Sequence, residues 1–346
     1  MQKVLTLFNQ SKEPQIICLG EALLDRLGPL GGDPIVDLPV TDCLGGAPVN
    51  VACCLARLGT SVAFCGRLGS DFIKDRFLAI FKERDINYNA IQVDNYRSTR
   101  IVYVKRDLAG ERVFQGFSSP KGGQFSDQAL NLKQLTDNWS MISSQAKWLV
   151  LGTIPLSSPE SKQSFLWCLE EALKSRINIA IDVNWRPTFW DPANTPAQGP
   201  DEGVIKQILD VLEKISLLKL AKEEALWFFN TDDPRKISLS LTSKPNVVVT
   251  NGPMTLSWLI NGFYGQINPI PPREINDSTG AGDAFMAGLL HKLVQNNVQN
   301  LDEKKIVQII RFASACGSLV CEREGAIEPQ PTIKEVDDFI TYSEGR

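Results

Sequence analysis

The chain has 346 residues, 36 of them basic and 40 acidic, for a formal net charge of −4. That near-balance leaves no cationic footprint for nucleic acid or an anionic membrane surface, and no apolar run is long enough to span a bilayer. The expected partners are therefore small molecules, with no nucleic acid and no membrane, and the length fits one large α/β core carrying a small appendage.

The first fifteen residues hold only the short patch Val4-Leu5-Thr6-Leu7-Phe8 and no signal-peptide layout, so the cytoplasm is the expected compartment. Eight cysteines are scattered through strand- and helix-like segments without a CxxC pair, which reads as buried free thiols rather than a disulfide or zinc framework. His291 is the only histidine, so triad and histidine-metal chemistries are not expected.

Along the chain, apolar strand patterns fall at 15–19, 61–65, Trp148–Leu151, 177–183, 217–220 and Asn246–Thr250, with amphipathic helical patterns such as 72–84 and Pro159–Lys174 between them. This alternation predicts a mainly parallel sheet covered by helices, with ligands at the carboxyl ends of the strands. Two segments break it. Residues 20–45 are rich in Gly, Pro and Asp, and 99–105 and 112–117 read as two strands joined by the turn Asp107-Leu108-Ala109-Gly110. The Pro-rich stretch 187–203 reads as a surface loop, and Asn261-Gly262 between apolar runs predicts a hairpin.

Chemistry concentrates in two glycine-rich stretches. In DSTGAGDAFMAG, residues 277–288, small residues run into an apolar helical pattern. Gly280 and Gly282 let the backbone approach an anion, and the N–H groups of a first helical turn lack intrahelical partners. Asp283, in that turn, is placed to take a proton from a hydroxyl attacking a phosphate. Asp277, Ser278 and Thr279 are also capping residues, so an ordinary helix start is the alternative reading. In GGAPVNVACCLARLG, residues 45–59, Gly45 and Gly46 lead into a helix whose first turn carries Asn50, an amide able to donate to and accept from sugar hydroxyls. No Walker motif occurs, and no GxGxxG follows a strand, which disfavours a dinucleotide oxidoreductase.

These two stretches closely resemble the signatures of the ribokinase-like sugar kinases, the PfkB carbohydrate kinase family. The resemblance extends from Cys18-Leu19-Gly20-Glu21-Ala22-Leu23-Leu24-Asp25 to Glu324-Gly325-Ala326. It implies a ribokinase-like α/β fold over 1–346 as a single kinase domain, with a β-sheet lid from about 25–45 and 98–117. It also implies an ATP-dependent sugar kinase in which Asp283 is the catalytic base and the backbone of Gly280, Ala281 and Gly282 stabilises the transferring phosphoryl group. On the same basis Asp25, Gly45, Gly46 and Asn50 are the expected sugar ligands. Asp25 ends an apolar strand, where capping a turn is the other reading.

Asp182-Val183-Asn184-Trp185-Arg186 resembles the DxNxR stretch of fructokinases and 2-keto-3-deoxygluconate kinases, placing Asn184 near phosphate and Arg186 near the substrate; a structural salt bridge would explain Arg186 nearly as well. Glu224 falls at the glutamate associated with Mg2+ and phosphate, although Ala221 replaces the family's asparagine and Glu224 could equally be a solvated helix residue. Thr250 and Gly252 resemble the nucleotide-proximal turn, with Thr255 where a second glycine usually stands, and 313–317 could wall the base. Asp277 and the loop 323–326 match the region that holds a monovalent cation in many relatives, which implies K+ beside ATP and Mg2+.

Fructokinase is the leading activity the resemblance implies; the alternative is 2-keto-3-deoxygluconate kinase, with Arg100 or Arg186 as the extra cation a substrate carboxylate would need, or another sugar or nucleoside kinase of the family. A fructokinase-like binding protein with weak catalysis is the reading from another class. The lid sheet often pairs with a second subunit in this family, so a homodimer through the lid is a further expectation.

Overall fold

All four side chains of β1 (Ile16–Leu19) are buried, and successive ones enter opposite cores: Ile16 and Cys18 join one apolar cluster, Ile17 and Leu19 the other. A strand buried between two helical layers requires such an unbroken apolar run. The computed structural model describes residues 13–108 and 112–344. The Val4–Phe8 patch and the Ala109-Gly110 part of the predicted turn lie outside the described residues.

After β1 the strands are β2 (Leu23–Leu30), β3 (Thr41–Gly45), β4 (Val62–Cys65), β5 (Arg67–Gly69), β6 (Gln92–Asp94), β7 (Ile101–Arg106), β8 (Arg112–Phe117), β9 (Trp148–Leu151) and β10 (Asn178–Asp182). They continue with β11 (Leu217–Ala221), β12 (Asn246–Thr250), β13 (Leu256–Ile260) and β14 (Phe263–Ile267). The large sheet has the order β14-β13-β12-β11-β10-β9-β1-β4. Its strands from β4 through β12 pair in parallel, and β13 and β14 add an antiparallel hairpin. Asn261 (φ 50°) and Gly262 (φ 80°) make its turn, as the sequence predicts.

Helices cover both faces. Ala47–Arg57, Ala281–Gln295 and Glu303–Val320 pack on one core, and Pro159–Lys174 and Glu202–Leu212 on the other. His291 is spent inside the first core: Nδ1 is 2.7 Å from Thr60 Oγ1, Nε2 is 3.1 Å from Gln295 Nε2, and the ring stacks on Phe312. Burial, with Lys292 beside it, depresses its pKa to about 4, which keeps it neutral. All eight cysteines are free; six are buried, while Cys43 and Cys321 are partly exposed.

A separate sheet, β3-β2-β7-β8, stands over the carboxyl ends of the large one. Asp25 lies inside β2, paired with Cys43 and Val102, and not at the end of a core strand as its apolar prefix suggests. The chain leaves the core at Leu19 and turns at Gly20 (φ 155°), so Asp25 enters the cleft from the roof. The stretch 187–203 is largely the surface segment expected, with 191–193, 195–198 and 201–203 exposed, but its start packs inward. Pro187–Trp190 is a helical turn, Pro187 and Thr188 are buried, and Trp185 Nε1 donates to Gln198 O at 2.7 Å to hold the stretch against the core. Pro187 and Pro196 also border the polar cleft, where their fixed φ stiffens its wall, while Pro192 is exposed to solvent.

Candidate active site

The anion turn forms at the start of the Ala281–Gln295 helix. Gly280, its N-cap, takes φ 79°, and a Cβ there would come 2.7 Å from Ala326 Cβ, so both conformation and space demand glycine. Asp283 sits in the first turn, where backbone N–H groups point out of the helix. Opposite, Gly46 begins the Ala47–Arg57 helix with φ 116°, and a Cβ there would lie 2.6 Å from Glu21 O. Gly45 ends β3 beside Leu23.

Two cavities meet at this turn, because Ser278 and Gly282 line both. One, of about 500 Å³, is enclosed by Asp25, Asn50, Asp182, Asn184, Arg186 and Asp283, and roofed by Val102, Val104, Arg112 and Phe114 of the four-stranded sheet. The other, of about 370 Å³, is walled by Thr250, Gly252, Pro253, Ile270, Phe285 and Gly317, a largely apolar slot. From the stretch 313–317, Ser314 and Gly317 line this slot, and Ser318 follows them.

In the polar cavity Asn50 Nδ2 donates to Asp283 Oδ2 at 2.8 Å. Burial raises the Asp283 pKa to about 6; the Asn50 hydrogen bond opposes this, Asp182 adds to it, and Lys219 and Arg186 counter it. A carboxylate with that pKa is mostly ionised at neutral pH yet basic enough to accept a proton. Burial likewise lifts Asp25 to about 6 against the pull of Arg112 and Arg186. Asn184, in a left-handed conformation (φ 44°), also reaches the cavity, and Arg186, whose Nη1 donates to Trp185 O at 2.9 Å, is exposed on its rim.

Two groups in the cavity escape motif reading. Glu21 is 2 % exposed; its Oε1 accepts from Ala47 N at 3.1 Å, and its Oε2, like Asn50 Oδ1, is buried with no hydrogen-bond partner among the described residues. Lys219 is buried, with Nζ 2.7 Å from Asp182 Oδ2 and 3.3 Å from where a Cβ on Gly282 would lie, so a cation sits against the anion turn. The signal for both was a charge inside an apolar run, Leu19-Gly20-Glu21-Ala22 and Leu217-Leu218-Lys219-Leu220, since a buried charge needs a partner or a function.

Three expected ligands are engaged by protein partners in this structure. Arg100 is 3 % exposed: its Nε and Nη2 pair with both oxygens of Asp127 at 3.0 and 3.3 Å, and its guanidinium lies 4.5–4.8 Å from the rings of Phe117, Phe125 and Phe189. Its charge and faces are already used in anchoring the roof. Glu224 is buried behind the cavity, neither solvated nor facing it. Its Oε1 accepts from Trp185 N at 2.6 Å and its Oε2 from Ala221 N at 2.7 Å, clamping the ends of β10 and β11 together. Asp277, expected to hold a metal, accepts from Arg112, Thr279 and Gly325. Among the described residues no cluster of three or more His, Cys, Asp or Glu is placed to hold a metal ion.

No helix among the described residues is long and apolar enough to cross a membrane. Comparison with known proteins agrees with the geometry. Over 329 residues the chain is 30 % identical to probable fructokinase-4 of Arabidopsis thaliana, covering 94 % of this chain and 96 % of the relative. It superposes on a fructokinase from Xylella fastidiosa with bound ATP at TM-score 0.80 and 26 % identity, covering 95 % of this chain and 98 % of that one. A fructokinase double mutant from Vibrio cholerae, in a form with fructose, ADP and potassium, shares the fold at TM-score 0.76 and 22 % identity, with 95 % and 99 % covered. Residues 14–333 match the pfkB family carbohydrate kinase. The chain belongs to that family of sugar kinases, which transfer a phosphoryl group to a hydroxyl.

Proposed function

We propose that the protein is a fructokinase, converting MgATP and D-fructose to ADP and D-fructose 6-phosphate. The observation that carries this reading is the meeting of the two cavities at the anion turn, polar on the Asp283 side and apolar on the Phe285 side. A sugar fits the first, a nucleotide base the second, and the phosphoryl group passes between them. The fructokinase relatives favour fructose as the sugar.

In this reading Asp25 and Asn50 bind sugar hydroxyls, and Glu21 Oε2 and Asn50 Oδ1 are satisfied by the same ligand. Asp283 takes the proton of the attacking hydroxyl while Asn50 Nδ2 holds its other oxygen. Backbone N–H groups of 280–282, with the Lys219 ammonium beside them, stabilise the charge on the transferring group. Thr250 and Gly252 border the nucleotide, which brings Mg2+ with it. The roof covers this cavity only in part, and its closing further over bound sugar would keep water from competing with the hydroxyl for the phosphoryl group.

ADP release measured over fructose, ribose, adenosine and 2-keto-3-deoxygluconate tests this reading. Fructose is expected to give the highest kcat/KM; the acidic sugar giving the highest value would replace fructokinase with the keto-acid kinase, with Arg186 rather than Arg100 as the cation. The outward face of the roof exposes Val113, and Leu30, Ile35, Val36 and Leu38 are exposed near it, an apolar strip suited to a second copy of the chain. Light scattering of the wild type and Leu38→Asp tests that pairing: a dimer that the variant dissociates supports it.

A further inference from the structure

Asp277 is the carboxylate on which the family resemblance places potassium, and its surroundings do not fit that ion. Its side chain is 3 % exposed. Oδ1 accepts from Thr279 N at 3.0 Å and Thr279 Oγ1 at 2.7 Å; Oδ2 accepts from Gly325 N at 2.8 Å and from Arg112 Nη2. Four donors fill the roughly four lone-pair sites of a carboxylate. Potassium needs a cage of oxygens, whereas the loop 323–326 turns an N–H, that of Gly325, toward this carboxylate. The single positive charge needed to balance Asp277 is already present, and it is covalently attached to β8 of the roof.

We infer that the Arg112 guanidinium replaces the monovalent cation beneath the anion turn, so that this kinase works without potassium and acquires its cation through docking of the roof. The contact is two-pronged: Nη1 also donates to Thr279 Oγ1 at 3.0 Å, one residue before Gly280. Arg112 thus holds the segment that sets the turn's geometry. A second, looser ion pair on the same side, Arg106 to Glu324 at 3.8 Å, joins the end of β7 to the loop after the Glu303–Val320 helix. A guanidinium suits the role better than an ammonium would, because its planar fork can engage the carboxylate and the hydroxyl together.

The inference deepens the kinase reading but is testable apart from it. The wild type and Arg112→Gln are compared in potassium chloride and tetramethylammonium chloride at equal ionic strength, by thermal unfolding without substrates and by ADP release with MgATP and fructose. The wild type is expected to differ by less than about twofold in rate between the salts and to show no potassium-specific Tm shift, since an ion that does not bind the native state cannot stabilise it. Arg112→Gln, with Asp277 left unbalanced, is expected to gain potassium dependence, with a Tm rise and roughly tenfold or greater rate recovery in potassium. Potassium activation of the wild type, or indifference to potassium in Arg112→Gln, overturns the inference. If that variant does not fold, Arg112→Lys keeps a cation within reach and must remain indifferent; potassium activation of it overturns the inference equally. Failure of the fructose assay alone leaves the unfolding comparison to decide.

Discussion

Asn50 and Asp283 lie 233 residues apart in sequence and are joined by one hydrogen bond, Nδ2 to Oδ2, of 2.8 Å. The bond ties the start of the Ala47–Arg57 helix to the start of the Ala281–Gln295 helix, and so holds the sugar side of the cleft to the anion turn. It also sets the working range of Asp283. With a pKa of about 6, held up by burial and down by Asn50, the carboxylate is protonated and unable to accept a proton in acid. The expected profile of kcat/KM for fructose rises with pH through about 6, where Asp283 and Asp25 both ionise, and levels until Glu21 ionises near 8. Asn50→Ala removes a contact that lowers this pKa and should move the acid limb upward; an unmoved limb contradicts the coupling.

Asp25 reaches the cleft from the roof and Asn50 from the floor, so each should touch one substrate only. Replacing either by Ala is expected to raise the fructose KM by roughly ten- to a hundredfold, the loss of one or two hydrogen bonds to a charged or amide group, and to leave the ATP KM within about twofold. Steady-state kinetics with each substrate varied in turn checks this, and equal effects on both would assign the residues to structure.

Arg100 gives the opposite expectation. Removing one partner of a buried ion pair leaves the other charge stranded, which typically costs about 3–5 kcal/mol. Arg100→Met should therefore destabilise the protein strongly in urea unfolding while the fructose KM of the folded fraction stays unchanged. A raised KM with normal stability would return Arg100 to the substrate.

Glu21 supplies a stability test with a fixed sign. Burial is the largest influence raising its folded pKa to about 8, Asp127 and Asp283 add to it, and backbone hydrogen bonds oppose it; the reference value is 4.5. Between those values the folded chain keeps a proton the unfolded chain has released, so stability falls as pH rises from 4.5 to 8 and this loss is complete above 8. Glu21→Gln cannot ionise yet keeps an acceptor for the Ala47 N–H. Its Tm advantage over wild type should grow across that interval and then stay flat; an advantage independent of pH would mean Glu21 is not neutral when folded.

The architecture was legible where physics acts locally. Fully apolar runs such as Ile16–Leu19 declare strands buried on both faces, and glycine with Asp and Asn at helix starts declares the two turns, because those conformations admit few residues. What stayed hidden depends on partners distant in sequence. Arg100 reads as a cation near a sugar until Asp127 and three phenylalanines are found around it. Glu224 reads as a metal-associated carboxylate, and nothing in its neighbours shows that it accepts from the backbone N–H groups of Trp185 and Ala221. Arg112, on an alternating strand, carries nothing in its neighbours to show that it reaches Asp277. Glu21 and Lys219 were visible as charges in apolar runs but not as members of the cleft, since only the fold brings them beside Asn50 and Gly282.

The most direct measurement is the fructose-dependent turnover of Asp283→Asn beside the wild type, with circular dichroism and Tm recorded on the same samples. The substitution keeps the side chain's shape and removes its basicity. Turnover is expected to fall by roughly a hundred- to ten-thousandfold with secondary structure unchanged and sugar binding retained. Near-normal turnover in a folded Asp283→Asn protein would contradict the assignment of Asp283 as the base and, with it, the chemistry ascribed to the cleft.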